Sequence, residues 1–354
     1  MTAVLGTAAE ALALPGGAPE PATSASASAP SRKPGRRALS YLLTVGLLVC
    51  LNFLLPRTLP GDPITAMAAT AASAGVASEA DNASSRTSLE RYYGLDRPLV
   101  SQFGSYLAGL ARGDLGTSIK YRVPVRSLIG DRVPWSLLLM ATSITLATVA
   151  GTVGGVRSGW QAGRRRPGLL YGLVALRQVP SFFLATAVLL GLAVALDWFP
   201  LGGAFSAGHS GVGAVLDVAH HLALPATVLA AQLLASTYLV MRASMVAEAG
   251  SPYLLLGRAK GLTDHRLKYA YAARNALLPV VTLTALQVGS AVTGSIFIET
   301  VFAYPGIGRL TTQALTARDY PVLQGAFLVL TLTVVTANFL SDLLYARLDP
   351  RVAS

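Results

Sequence analysis

The chain has 354 residues, of which 53% are hydrophobic and only 13% carry a charge. Soluble domains contain about 25% charged residues, so the composition excludes an ordinary soluble protein and predicts an integral membrane protein. The formal charge of +11 would suggest nucleic-acid binding in a soluble protein, but the arginines cluster at the ends of apolar stretches. The only cysteine, Cys50, lies within an apolar stretch, which excludes an intrachain disulfide and a cysteine-based metal cage.

The first 31 residues are mainly Ala, Pro, Ser and Gly, without helical or strand periodicity. Segments of this kind bury too little apolar surface to fold. A basic cluster follows, formed by Arg32, Lys33, Arg36 and Arg37. We predict a disordered, cytoplasmic N-terminal tail over residues 1–37.

Six apolar stretches have about the 20 residues that a helix needs to cross a bilayer. They comprise residues 38–56, 133–156, 169–196, 218–241, 275–298 and 320–341. Only the third contains a charged residue, Arg177, near its beginning. The first also fits a secretory signal, because small residues follow at 66–69, but the five further stretches favour a transmembrane helix. The sequence thus predicts an all-α membrane protein with about six transmembrane helices.

Positive charge is distributed unevenly among the loops, and Lys and Arg favour the cytoplasmic side. With a cytoplasmic N-terminus, the short outer loops contain only Arg309 and Arg318. Most other arginines then fall in inner segments. The outer segment 58–132 also contains arginines, but connections longer than about 60 residues largely escape this rule. Both termini are therefore predicted to be cytoplasmic.

This orientation divides the chain into five regions. They are the tail 1–37, a first transmembrane helix 38–57, an extracytoplasmic segment 58–132, a five-helix core 133–346 that includes a cytoplasmic loop 247–275, and a cytoplasmic C-terminus 347–354. Within the extracytoplasmic segment, Gly- and Pro-rich motifs at 59–63, 94–98 and 113–118 predict turns, and Leu99–Ala111 is predicted to be a short helix.

Motifs that would supply energy or chemistry are absent from the sequence. None of the four lysines lies in a GxxxxGK[ST] phosphate-binding loop, and the four histidines show no HExxH spacing. The adjacent His220 and His221 are more typical of residues at the membrane interface than of metal ligands. Glu299 and Asp342 lie only at the ends of apolar stretches, whereas a proton-coupled carrier is expected to hold carboxylates at mid-membrane. We expect no catalytic residue, cofactor or metal in this chain.

The loop between the fourth and fifth stretches has a pattern of its own. Ser251 and Pro252 favour the start of a helix, Gly261 favours a left-handed end, and Thr263 with Asp264 favours a second start. Charge alone would favour a solvated basic loop. The loop also contains apolar residues that a solvated loop does not need, namely Leu254, Leu255, Leu256, Leu262 and Leu267. The pattern predicts a helix–glycine–helix unit that contacts a partner.

Residues 253–262 and Arg274–Pro279 of this loop resemble the "EAA" loop of the membrane subunits of ATP-binding-cassette importers, in the dipeptide and oligopeptide permease branch. The acidic residue of the general EAA pattern is absent, with Leu255 near its place, and the peptide branch is similar in lacking it. Further resemblance to the branch lies in the motifs at 59–63, 113–116, 298–302, 304–308, 318–321 and 348–351.

The resemblance implies the type I importer permease fold in a bacterial cytoplasmic membrane. It also implies a coupling helix that fits a cleft on an ATPase subunit, made by Gly257, Arg258, Ala259, Lys260, Gly261, Leu262, Thr263 and Asp264. The implied partners are a homologous second permease, one or two ATP-binding subunits that bind ATP and Mg, and an extracytoplasmic substrate-binding protein. The chain itself is then half of a peptide pathway and not an enzyme.

Other residues are candidates for the pathway and its gates. Polar residues of the fifth stretch, Gln287, Ser290 and Thr293, are predicted to line the pathway. Glu299, Phe302 and Tyr304 are predicted to form an outer gate or a binding-protein contact, with interfacial anchoring as the alternative for the two aromatic residues. Glycines 151, 155, 289 and 294 are predicted to allow close helix packing.

Two alternative functions remain compatible with parts of the pattern. The same architecture serves nickel-chelate, opine and sugar importers, although nothing in the sequence resembles a metal relay. A secondary carrier without an ATPase is a second alternative. A membrane sensor or a membrane enzyme would need a cytoplasmic domain or a catalytic cluster, and the sequence shows neither.

Overall fold

A computed structural model describes residues 34–58, 97–161, 168–208 and 210–348. These residues form helices joined by short connections, and an isolated bridge pairs Thr117 with Pro124. The helices are α1 (Pro34–Thr58), α2 (Leu99–Ala111), α3 (Val125–Trp160), α4 (Gly168–Gln178), α5 (Ser181–Val188, continued by a π-turn Leu189–Ala195), α6 (Val212–Ala249), α7 (Pro252–Ala259), α8 (Asp264–Arg266, continued by a π-turn Leu267–Ala272), α9 (Ala273–Ala276), α10 (Leu278–Val301), α11 (Ile307–Ala317) and α12 (Tyr320–Leu348).

Four of the described helices are long and apolar enough to cross a membrane: α3, α6, α10 and the part of α12 over Tyr320–Ser341. A fifth candidate span consists of the α4–α5 pair, which is bent by 103°. The apolar section of α1, Leu39–Leu54, is shorter than these spans. The predicted all-α, multi-pass architecture is confirmed, with one span broken and the first one short.

The third predicted span is not the continuous helix over residues 169–196 that we expected. It ends at Gln178 and resumes at Ser181, on the far side of Pro180. Proline has no backbone N–H and disfavours helical torsion angles in the preceding residue, which accounts for the break. Arg177, expected near the beginning of a span, therefore lies at the bend in the middle of it.

Helices α3 and α6 pack closely along much of their length, and glycines allow the approach. A Cβ atom on Gly155 would lie 2.6 Å from Cβ of Met241, and one on Gly151 would lie 2.8 Å from Cβ of Thr237. Both distances are too short for any side chain, so the backbones touch. The predicted packing role of these two glycines is confirmed, within this chain.

Helix α10 completes the core against α6 and α12. A Cβ atom on Gly294 would lie 2.9 Å from Leu229 of α6, and one on Gly289 would lie 3.5 Å from Val334 of α12. Helix α1 runs along α12, where Asn52 Nδ2 donates a hydrogen bond to the Gln324 carbonyl at 2.8 Å. The spans therefore form one bundle with α6 at its centre.

The described part of the segment before α3, which was predicted to be extracytoplasmic, is bonded to the start of α12. The fully buried Asp319 carboxylate accepts hydrogen bonds from Ser118 Oγ at 2.5 Å and from the Ile119 N–H at 3.1 Å. Helix α2 has the predicted bounds, and positive φ angles at Gly113 (71°) and Gly116 (82°) confirm the turn after it. Residues 34–37, predicted to belong to the disordered tail, form the start of α1. Residues 1–33, the turn motif 59–63 and the C-terminus from residue 349 lie outside the described residues.

Candidate functional site

The loop between α6 and α10 has the predicted helix–glycine–helix form. Helix α7 begins with Pro252 after an extended Ser251, and its end is followed by Gly261 with φ of 77°. The Thr263 side chain then caps the next helix by accepting a hydrogen bond from the Arg266 N–H at 3.4 Å. Ser251 Oγ does not cap α7 and instead lies 3.4 Å from Glu248 Oε2. The helices thus begin and end where the sequence predicted, although of the two predicted caps only Thr263 makes its side-chain hydrogen bond.

Apolar side chains pack this loop against the membrane helices. Leu254 and Leu267 are fully buried and belong to one cluster with Met241 and Met245 of α6. A Cβ atom on Gly257 would lie 2.5 Å from Cδ2 of Leu267, so a larger residue there requires the Leu267 side chain to move. Because protein interiors are close-packed, a force applied to the loop is transmitted to the spans rather than absorbed locally.

Polar contacts tie the loop to the ends of α3, α6 and α9. Trp160 Nε1, at the end of α3, donates a hydrogen bond to Asp264 Oδ2 at 2.8 Å. The Tyr253 hydroxyl hydrogen-bonds Glu248 of α6 and accepts a hydrogen bond from Asn275 Nδ2 at 3.2 Å. Burial, followed by the bond to Glu248, raises the pKa of Tyr253. The loop is therefore linked to several membrane helices at once.

The surface of the loop differs in part from the predicted coupling residues. Gly257 is buried under Leu267 and Leu262 is half-buried. The exposed members of the predicted set are Arg258, Ala259, Lys260, Gly261, Thr263 and Asp264. Two further residues, Leu255 and Leu256, lie on the exposed surface of α7. Their side chains are 63% and 57% exposed. These two leucines were noted in the sequence as apolar but were not assigned to the contact.

A cavity of about 460 Å³ lies at the bend between α4 and α5 and is open to the surface beside the exposed Arg177 and Ser290. The bend forms one wall, and α6 and α10 form the others. Its polar lining residues are Arg177, Gln178, Ser181, Gln232, Ser236, Gln287 and Ser290. A cavity of this volume is within the range of small-ligand sites in proteins.

The cavity includes two of the three residues predicted to line the pathway. Gln287 is 3% exposed and donates from Nε2 to the Leu233 carbonyl at 3.1 Å and to Thr237 Oγ1 at 2.9 Å. Ser290 lies in the wall and is exposed. Thr293 is not part of the wall and bonds to the Gly289 carbonyl of its own helix at 3.3 Å. Whether substrate passes these residues stays a prediction.

The residues predicted for an outer gate surround the turn between α10 and α11. Glu299 is fully buried and accepts hydrogen bonds from Ser136 Oγ at 2.6 Å and from the Arg309 N–H at 3.0 Å. Ser136 Oγ in turn accepts from the Ile307 N–H at 2.8 Å. A carboxylate at the N-terminus of a helix is stabilised by the unpaired N–H groups there. Glu299 therefore caps α11 in this conformation.

The aromatic members of the predicted gate also face inward. Phe302 and Tyr304 are buried, and the Trp135 ring meets the Tyr304 ring edge-on at 6.0 Å. Burial raises the pKa of Tyr304 above its ordinary value. In this conformation these side chains present no surface to a binding protein, and the gate role stays a prediction.

Removing the Glu299 cap has a predicted effect on stability. Glu299→Ala leaves Ser136 and the first turn of α11 without their acceptor inside the protein, at a cost of about 3 kcal/mol of unfolding free energy. Glu299→Gln keeps one acceptor and is expected to lose less. The measurement is the thermal unfolding midpoint in detergent, with Thr300→Ala at the exposed neighbouring position as control. Equal midpoints for Glu299→Ala and wild type would contradict the capping role.

Metal binding finds no support in the part of the chain that the structure describes. No group of three or more His, Cys, Asp and Glu side chains is placed to hold an ion there. His221 Nδ1 lies 2.9 Å from the Asp217 carbonyl oxygen, and His220 Nε2 lies 3.0 Å from the Trp198 carbonyl oxygen. Both histidines have structural contacts, and His209 lies outside the described residues.

Comparison with known proteins identifies extensive similarity. Residues 134–354 match the family described as binding-protein-dependent transport system inner membrane component. The chain is 34% identical over 325 residues to the oligopeptide transport system permease protein AppB of Bacillus subtilis, covering 90% of this chain and 97% of AppB. It is 33% identical to the dipeptide transport system permease protein DppB of Escherichia coli K12, covering 86% and 94%. It is 33% identical to the glutathione transport system permease protein GsiC of E. coli O6:H1, covering 90% and 97%.

Proposed function

Because this chain belongs to the family of binding-protein-dependent transport system inner membrane components, we propose that it forms half of the pathway of an ATP-driven importer of dipeptides and oligopeptides. The observation that carries this proposal is the similarity to AppB and DppB, which extends over at least 94% of their length. The chain is a multi-pass membrane permease. Orientation in a bacterial cytoplasmic membrane with both termini inside follows from the positive charge of the inner loops.

The loop between α6 and α10 supplies the mechanism. ATP and Mg bind in one or two partner subunits, and closure of these subunits around ATP moves α7 together with the helices that hold it. The supporting contacts are the buried Leu254 and Leu267 and the Trp160–Asp264 hydrogen bond, which leave little freedom between loop and bundle. Rigid-body motion of packed helices then alternates access between the two sides of the membrane.

The remaining subunits complete the pathway and select the cargo. A homologous second permease supplies the other half, and an extracytoplasmic binding protein delivers the substrate. All three relatives named above have peptide or glutathione transport in their names. Peptides are therefore the favoured cargo over nickel chelates, opines or sugars.

The experiment is reconstitution. The chain, purified from its native membranes in mild detergent, is expected to bring the ATPase and second permease with it. Proteoliposomes of this complex should take up a labelled peptide only with ATP and the binding protein, and vanadate should stop uptake. Uptake by the chain alone under a proton gradient would instead establish a secondary carrier and overturn the proposal.

A further inference from the structure

Arg177 carries a charge within a broken apolar span. It lies one residue before the end of α4, at the bend of 103° between α4 and α5. No ion pair joins Arg177 to a carboxylate of the described residues. A charged residue within an apolar span is costly and by default has a functional role.

The N-terminus of α5 adds partial positive charge at the same place. Helix α5 begins at Ser181, and Pro180 before it provides no side-chain cap for the first N–H groups. Arg177 and Ser181 both line the cavity. Half-helices that begin at mid-membrane commonly direct their N-termini at the anionic groups of a substrate. The bend thus offers two positive features to one ligand.

The wall opposite the bend carries no charge. Gln287 Nε2 donates to the Leu233 carbonyl and to Thr237 Oγ1, so the amide is held against α6. Among the residues that line the cavity, Arg177 alone is charged.

We propose that this cavity is a transit site for the free carboxylate end of a short peptide. Arg177 and the first turn of α5 bind the carboxylate. The inference rests on the proposed function and deepens it, because it makes the permease itself selective for carboxylate-bearing cargo. A neutral sugar would leave Arg177 without a counter-ion.

The test uses the complete importer in proteoliposomes and two labelled peptides that differ only in a C-terminal carboxylate or carboxamide. Uptake of each is divided by its measured occupancy of the binding protein. Wild type is expected to prefer the carboxylate about tenfold, the value of one charge-assisted hydrogen bond. Arg177→Gln should lower this ratio to about one, and Arg177→Lys should restore part of it. Arg112→Gln, at an exposed outer position, should leave it unchanged.

The ratio separates selectivity from damage to the fold. If Arg177→Gln slows both peptides equally, Arg177 has only a structural role and the inference is overturned. A wild-type ratio near one overturns it as well. Failure of the proposed function would look different, since wild type would then take up neither peptide with ATP.

Discussion

Replacement of Gly261 by proline abolishes ATP-driven peptide uptake and leaves membrane insertion intact. Gly261 has φ of 77°, and its N–H donates to the Arg258 carbonyl at 2.9 Å. Proline fixes φ near −65° and has no N–H, so the turn between α7 and α8 must rebuild at a cost of about 3 kcal/mol or more. The turn is exposed and away from the spans, so the bundle still forms. Uptake and ATPase activity in proteoliposomes provide the measurement.

Gly261→Asn is the matched control for this prediction. Asparagine adopts left-handed torsion angles more readily than other non-glycine residues. A Cβ atom at position 261 meets no heavy atom within 4 Å, so the side chain has room. The asparagine variant should retain most of the uptake. Normal uptake by Gly261→Pro would show that the loop does not transmit the ATPase motion.

Local signals explain why much of the fold was predictable. The loop from Ser251 to Asp264 follows capping and glycine rules that depend on only a few neighbouring residues, and the helices begin and end at the predicted residues, although Ser251 makes no side-chain cap. Apolar stretches of about 20 residues likewise identify spans without knowledge of the tertiary structure. Such features depend on residues that lie close together in the sequence, within the length of one helix.

The break at Pro180 was not predictable in the same way. Pro134 and Pro225 also lie in predicted spans, yet α3 and α6 run through them. Neighbouring helices can satisfy the backbone groups that a proline frees in a membrane helix, so a proline alone does not reveal whether a span breaks. The position of Arg177 at the cavity follows from that break and was missed with it.

Contacts between residues that are far apart in the sequence account for the other differences between the predictions and the structure. Glu299 lies at the end of a span as expected, but its partner Ser136 is 163 residues away. Likewise, three consecutive leucines give no indication of which one packs inward. In the structure Leu254 is buried against α6, whereas Leu255 and Leu256 face outward.

These two exposed leucines carry the second large prediction. We expect the double variant Leu255→Asp, Leu256→Asp to lose ATPase subunits during purification. Burying a leucine side chain contributes about 1.5–3 kcal/mol, so removing two such side chains from a partner interface weakens binding by at least a factor of about 100. The amount of chain in the membrane should not change, because both side chains are already solvent-exposed in the bundle.

Ala270→Asp places an acidic residue on an exposed site of the same loop, outside the predicted contact, and serves as control. It should retain the ATPase subunits, because the contact is with the leucines of α7 and not with the loop as a whole. Quantitative co-purification followed by ATP-driven uptake distinguishes the two variants. Full retention of the ATPase subunits by the double variant would indicate that Arg258, Lys260 and the turn after them make the contact instead. In that case charge, rather than apolar burial, would hold the subunits together, and raising the salt concentration should release them.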